Sequence, residues 1–193
     1  MVLANLGRPG SDAAMSKYNR MLFVDVELTC WEGEPPAGEA SEVIAIGIVD
    51  LKTDDLELRR EKLFLVRPQV STISPFCSTL TGITPKEAEA APPLPEVVRT
   101  IRKTFGQSDW CAWGRDDALI RESCERAGTE LPFPGGFHDL SAQVRGLLGL
   151  TYRLSLDEAL GRFDLDWEGP PHDALADARN LARLFMALAQ RLR

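Results

Sequence analysis

Four acidic residues and one histidine, scattered along the chain, have the types and positions that could do chemistry. Asp25 and Glu27 lie in the apolar segment MLFVDVELT, Asp117 follows CAWGRD, and His172 and Asp177 lie in PPHDALADARNLARLF. An apolar strand that carries two carboxylates suffers a desolvation penalty, which bound divalent cations would offset. Such cations take carboxylate oxygens as ligands and promote reactions of phosphate esters. The pattern therefore predicts metal-dependent chemistry on phosphate esters.

The first two acids are predicted to share one face of a strand. Residues 21–27 alternate, with Val24 and Val26 on one side and Asp25 and Glu27 on the other, so both carboxylates point the same way. Phe23 is on their side, which indicates that this face is partly covered. Pairs of this kind also occur on solvated strand edges, so the pair alone is not specific.

A further carboxylate is expected from the adjacent residues Asp116 and Asp117. They begin a helix predicted over 116–127, directly after a short strand predicted over 109–113. An acid in the first turn of a helix is also favourable simply because it complements the helix dipole. Neighbouring residues on a helix point about 100° apart, so helix geometry does not decide which of the two faces the other acids.

The proton-transfer candidate is one of two histidines, His138 and His172. His172 lies immediately before the last predicted helix, 173–192, whose first turns carry Asp177. Histidine exchanges protons near neutral pH, so His172 could take a proton from an attacking water. A histidine in a Pro-Pro-His loop is also a common surface residue. Brought together, the acids could hold two divalent ions roughly 4 Å apart.

The elements that must position these groups change character along the chain. Apolar, alternating segments come first, at 21–27, 43–51 and 58–66, and predict a three-stranded meander. Helices predicted over 75–80, 95–105, 116–127, 156–163 and 173–192 then alternate with short strands at 109–113 and 137–140. This order predicts an α/β domain on a mixed sheet of about five strands, with helices on both sides.

Composition bounds the class of protein. With 193 residues, 44% of them hydrophobic, we expect a single domain over 18–193 behind a flexible leader, 1–17. No apolar stretch approaches the roughly 20 residues of a membrane span, and no secretory signal is recognisable. Four cysteines without paired spacing favour reduced thiols and a cytoplasmic location. The net charge of −7 argues against binding of nucleic acid through an extended basic surface. The oligomeric state, monomer or homodimer, is left open.

The order and spacing of the motifs resemble one known family. The matching segments extend from 21 to 188 and read FVDVELTCWEG, ISPFCSTLTGITPKEAEAAPPLPEVV, CAWGRDD, HDLSAQV and PPHDALADARNLARLF. They are similar to the DEDDh branch of the ribonuclease-H-like 3′–5′ exonucleases, and within it most of all to the histone-mRNA 3′-exonuclease (enhanced-RNAi) type. Each motif is weak alone, but together they are specific.

The resemblance implies roles for particular residues. The ligands of two divalent cations, Mg²⁺ or Mn²⁺, would be Asp25, Glu27, Asp117 and Asp177, and His172 would be the general base. The backbone at Leu28 and Thr29 and the side chains of Phe76 and Leu80 would surround the terminal nucleotide. The implied fold is a ribonuclease-H-like mixed sheet, and the implied reaction is hydrolysis from a single-stranded 3′ end with release of nucleoside 5′-monophosphates.

Two alternatives remain beside this interpretation. RNA is favoured over DNA because the LTGIT and HDLS segments resemble the RNA-directed type, so a DNA-directed, proofreading-type exonuclease stays possible. A non-catalytic nucleic-acid-binding module on the same fold would be free to lose one of the five polar groups, yet all five are present. Asp116 departs from the family, which carries tryptophan or another uncharged residue there.

Overall fold

The computed structural model describes residues 19–192, which contain one five-stranded sheet. Its strands, β1 to β5 in chain order, are Arg20–Leu28, Val43–Lys52, Glu57–Leu65, Asp109–Ala112 and Phe137–Asp139. The order across the sheet is β3-β2-β1-β4-β5. The first three strands form the predicted antiparallel meander, whereas β4 runs parallel to β1 and β5 parallel to β4. The predicted mixed sheet is confirmed, while the leader predicted over 1–17 lies outside the described residues.

Seven helices accompany the strands in the described part of the chain. In chain order, α1 to α7 are Pro75–Thr81, Pro85–Ala90, Leu94–Phe105, Asp116–Arg126, Leu140–Leu147, Leu156–Arg162 and Ala174–Leu192. Helices α2 and α5 were not predicted from the sequence. None of the helices within residues 19–192 is long and apolar enough to cross a bilayer.

Alternation along β1 divides the core into two layers. Leu22, Val24 and Val26 pack with the apolar residues of α3 and α4 on one face of the sheet. Phe23 points to the other face and packs with residues of α5, α6 and α7; its ring centroid lies 5.0 Å from that of Phe185 on α7. Helices therefore cover both faces, as predicted, and the strand geometry turns Asp25 and Glu27 towards α7.

A buried carboxylate fixes the segment that leads into α1. Glu42 is 6% exposed and accepts the backbone N–H groups of Gln69, Val70 and Ser71 at 2.9, 3.0 and 2.8 Å. At the start of the helix, the hydroxyl of Ser74 accepts the Cys77 N–H and donates to the Cys30 carbonyl at 2.7 Å. These bonds hold α1 beside the chain that leaves β1.

Candidate active site

The start of α7 lies directly on the sheet because β2 has a glycine there. Gly47 pairs with Asp25 across β1 and β2, and a Cβ on it would come within 2.0 Å of the Ala174 carbonyl oxygen. A side chain at residue 47 would therefore force α7 away from the strands. Asp173 caps the helix by accepting the Ala176 N–H at 2.8 Å. This close approach brings the ends of β1 and α7 together.

Three of the predicted site residues converge where these ends meet. One potential ligand atom each from Glu27, His172 and Asp177 lies within 4.8 Å of the other two. Glu27 is 8% exposed, whereas His172 is exposed to solvent. Oδ1 of Asp177 is buried and has no hydrogen-bond partner among the described residues. A buried oxygen of this kind requires compensation, which a cation between these groups would provide.

Asp25 belongs to the same cluster by its electrostatics. Burial raises its pKa well above the ordinary range, and the nearby charges of Asp116, Asp177 and Glu27 raise it further. Burial raises the pKa of Glu27 to about 8, with contributions from Asp177, Asp173 and Asp116. Burial also raises the pKa of Asp177 to about 7, although a hydrogen bond from the His172 backbone opposes the shift. Carboxylates in such surroundings are stabilised as anions by bound cations.

The adjacent acids of α4 have different relations to this cluster. Asp116 contributes the largest charge effect on Asp25, and its own pKa is raised to about 7, mainly by burial and then by the charge of Asp117. Asp117 is not among the largest contributors to the raised pKa of Asp25. The structure thus couples Asp116 to the other acids, while metal ligation by Asp117, the residue chosen from the resemblance, stays a prediction.

His172 has an unusual backbone conformation for a residue with a side chain. Its φ is 61°, in the left-handed region, which costs an L-residue roughly 1–2 kcal/mol. Histidine tolerates this region better than most residues. A sharp change of chain direction between Pro171 and α7 thereby places the imidazole next to Asp177.

The two apolar residues predicted to contact a nucleotide line an open cavity. Phe76 and Leu80 on α1 are 42% and 36% exposed. They border a cavity of about 730 Å³ that is also lined by His172 and by Leu63 and Leu65 of β3. Exposed apolar side chains in a concave site are suited to stacking on a base. Their position next to His172 agrees with the predicted role, which stays a prediction.

Leu28 and Thr29, the other two predicted contacts, are engaged within the fold. Thr29 is 1% exposed; its N–H donates to the Glu42 carbonyl at 2.9 Å, and its hydroxyl donates to that of Ala40 at 3.1 Å. The Leu28 side chain packs on the α3–α4 core layer, and its carbonyl accepts a contact of 3.5 Å from the Cys77 thiol. Thr29 thus closes the loop after β1, and nucleotide contact by either residue stays a prediction.

The raised pKa values predict how the stability of the metal-free protein depends on pH. Carboxyls titrate near 4 in an unfolded chain, whereas Glu27 and Asp177 titrate at about 8 and 7 in the fold. Between about pH 4 and about pH 8 the folded protein therefore binds more protons than the unfolded chain. Its free energy of unfolding falls as the pH rises through this range. In EDTA we expect the melting temperature to fall by about 5 °C or more between about pH 6 and pH 8.5.

Added Mg²⁺ should reverse most of this loss, because the cation replaces the protons that the cluster would otherwise hold. Thermal melts at both pH values, with EDTA and with Mg²⁺, measure the effect. The Mg²⁺-induced rise in melting temperature should be larger at the higher pH. An equal rise at both pH values would mean that these carboxyls do not bind the cation.

The chain belongs to the exonuclease family RNase T, whose family pattern matches residues 22–185. This agrees with the fold and with the converging carboxylates. The 3′-5′ exoribonuclease 1 of Rattus norvegicus is 28% identical over 197 residues, which cover 93% of this chain and 56% of that protein. The 3′-5′ exonuclease Snipper of Drosophila melanogaster is 25% identical over 212 residues, covering 95% of this chain and 74% of Snipper.

Among solved structures, the nuclease domain of 3′hExo, a DEDDh family member bound to rAMP, has a similar fold. The TM-score is 0.80 with 26% identity, covering 91% of this chain and 94% of that domain. The predicted resemblance to DEDDh exonucleases is thereby confirmed. The chain spans about half the length of the exoribonuclease 1 proteins that it matches.

Proposed function

We propose that this protein is a metal-dependent 3′–5′ exonuclease that hydrolyses single-stranded nucleic acid, with RNA favoured, and releases nucleoside 5′-monophosphates. The observation that carries the proposal is the convergence of Glu27, His172 and Asp177, with ligand atoms within 4.8 Å of one another, beside the partly buried Asp25. Family membership and relatives named exoribonucleases support the same conclusion.

The donor set fits divalent cations such as Mg²⁺ or Mn²⁺. The residues proposed to hold them are Asp25, Glu27, Asp177 and one acid of the Asp116–Asp117 pair. Carboxylate oxygens are the ligands that these hard cations prefer. Oδ1 of Asp177 has no hydrogen-bond partner among the described residues, so it is available as a metal ligand. When bound, two such ions would activate water and stabilise the charge on the leaving oxygen.

The residues of the chain itself would supply proton transfer and orientation. His172 is exposed beside Asp177, so its imidazole can take the proton of an attacking water and release it to solvent. Phe76 and Leu80 would hold the terminal base, since they line the cavity that His172 also borders. Together they would orient the last phosphodiester bond towards the carboxylates.

Substrate class and location extend the proposal. RNA is favoured because the relatives include enzymes named 3′-5′ exoribonuclease 1, whereas DNA-directed hydrolysis is the second candidate. A cytoplasmic location is proposed from the cysteines: all four, Cys30, Cys77, Cys111 and Cys124, are free thiols, as expected in a reducing compartment.

The test is a comparison of degradation ladders. Purified protein is incubated with 5′-labelled RNA and DNA of equal sequence, single- and double-stranded, with Mg²⁺, with Mn²⁺ and with EDTA. We expect single-stranded RNA to shorten stepwise from its 3′ end, and EDTA to abolish the reaction. Persistence of all substrates, or hydrolysis that continues in EDTA, would contradict the proposal.

A further inference from the structure

One arginine lies against the motif that follows β4. Gly114 has a φ of +106°, and a Cβ on it would lie 2.0 Å from a guanidinium nitrogen of Arg153. The guanidinium thus lies directly on the backbone that links β4 to α4, where any side chain at residue 114 would displace it. Arg153 itself comes from the segment between α5 and α6, about 40 residues further along the chain.

The backbone that directly follows Arg153 is anchored to the fold. The Trp113 indole N–H donates to the Leu154 carbonyl at 3.2 Å, which ties this segment to the residue before Gly114. Ser155 caps α6 and forms a capping box with Glu158. Leu154 and Leu156 are buried. The position of Arg153 is therefore held by the core, while its side chain remains exposed.

The guanidinium of Arg153 has no hydrogen-bond partner within residues 19–192. Arg153 is exposed and forms no hydrogen bond or ion pair with residues 19–192, and its resolved electrostatic interaction is with Asp116, whose negative charge it stabilises. Among the largest charge effects on the pKa values of Asp25, Glu27, Asp116 and Asp177, that of Arg153 on Asp116 is the only one exerted by a cation of residues 19–192. This positioned cation makes no hydrogen bond within the described residues, so it can bind an anion beside carboxylates that would otherwise repel it.

The sheet order indicates which anion this is. The cavity of Phe76 and Leu80 includes Leu63 and Leu65 of β3, on one side of β1, whereas Gly114 follows β4 on the other side. The carboxylates lie between the two. A strand whose 3′-terminal base occupies the cavity, with its last phosphodiester bond at the carboxylates, would continue past Gly114 in the 5′ direction.

We propose that Arg153 binds a phosphate of the substrate strand on the 5′ side of the scissile bond, and so positions the strand across the carboxylate cluster. This inference rests on the proposed function. Arginine is suited to the task because its planar fork of N–H groups matches two phosphate oxygens. A local contact of this kind also explains how a chain with a net charge of −7 can retain a polyanion without a broad basic surface.

The test compares Arg153→Gln, Arg153→Lys and a control arginine in the full chain. Arg59→Gln is the matched control, because Arg59 is also exposed and without an ion pair among residues 19–192. Leu63 pairs with Gly47, which pairs with Asp25, so these three residues lie side by side across the sheet. Arg59 lies four residues before Leu63 on β3, roughly 13 Å away along the strand. Hydrolysis of 5′-labelled single-stranded RNA in Mg²⁺ gives KM and kcat, and fluorescence anisotropy in Ca²⁺ gives Kd over a range of KCl concentrations.

For Arg153→Gln we expect KM and Kd to rise about tenfold, as for a lost charge-assisted hydrogen bond, while kcat changes less than about twofold. The slope of log Kd against log salt should fall by about 0.7, because one phosphate contact to a single strand is lost. Arg153→Lys should retain the slope and recover part of the affinity. Arg59→Gln should behave as the wild type.

Unchanged KM and salt slope in Arg153→Gln would overturn the proposal. A lower melting temperature without a change in slope would also overturn it, because Arg153 would then only support the loop at Gly114. If the wild type binds RNA but hydrolyses neither RNA nor DNA, the proposed exonuclease function fails. In that case the salt slope still decides whether Arg153 contacts the phosphate backbone.

Discussion

Asp25→Asn is expected to reduce RNA hydrolysis by about 10³-fold or more, since loss of a ligand removes several kcal/mol of transition-state stabilisation. Asparagine has nearly the same shape, so the fold should persist. At alkaline pH the metal-free variant should melt at a higher temperature than the wild type, because the raised pKa of Asp25 reflects burial among Asp116, Asp177 and Glu27. Mg²⁺ should then stabilise it much less.

The measurement combines initial rates with thermal melts in EDTA and in Mg²⁺. Asp157→Asn is the matched control, because Asp157 is an exposed acid in the first turn of α6. It should retain the wild-type rate and the wild-type Mg²⁺-induced rise in melting temperature, although loss of its charge lowers the melts in EDTA and in Mg²⁺ alike. Wild-type rates for Asp25→Asn would remove this carboxylate from the active site. Low rates together with a full Mg²⁺-induced stabilisation would place the cation elsewhere.

His172→Gly and His172→Ala are both expected to lower hydrolysis at neutral pH by about 10²- to 10⁴-fold, the usual contribution of a general base. Part of the loss should be recovered at higher pH, where hydroxide is more abundant. The two variants should differ in stability, because residue 172 has a φ of 61°. Glycine adopts this conformation without steric cost, so His172→Gly should be more stable than His172→Ala by about 1 kcal/mol.

These two readouts separate a catalytic role from a structural one. If the imidazole served only the fold, the more stable glycine variant would also be the more active one. The second histidine provides the control: His138 lies on β5, 3.4 Å from Asp109, and His138→Ala should retain wild-type turnover. Wild-type activity in both His172 variants across the pH range would exclude His172 as the base.

The strands and most helices follow from local pattern. Alternation placed β1 to within about a residue at each end. The helices predicted over 75–80 and 156–163 correspond to α1 and α6, which Ser74 and Ser155 cap in the structure. The missed helix α2 also had a local signal, the capping box of Thr84 and Glu87, in the segment TPKE. Helix α5 begins at Leu140, after Asp139, which caps it by accepting the Ala142 N–H. The sequence pattern predicted a strand through both residues.

The active-site residues were predictable where their geometry is local. Asp25 and Glu27 share a direction because a strand repeats every two residues, and His172 and Asp177 are close because one turn of helix joins them. The resemblance to DEDDh exonucleases then connected these distant pairs. The choice between Asp116 and Asp117 was different, because it depends on the rotation of α4 against β1, which no local pattern records.

Local patterns in the amino-acid sequence predicted the order of strands and helices, the strand face that carries Asp25 and Glu27, and the family. The distances between segments far apart in the chain became known from the folded arrangement alone. The contact between α7 and β2 depends on Gly47, because a side chain there would collide with α7. The effect of Asp116 on the pKa of Asp25 depends on the orientation of α4. The position of Arg153 depends on Gly114, which leaves room for the guanidinium. The reason is physical: local patterns follow from backbone periodicity, whereas these contacts are set by packing between elements whose closest approach depends on every side chain between them.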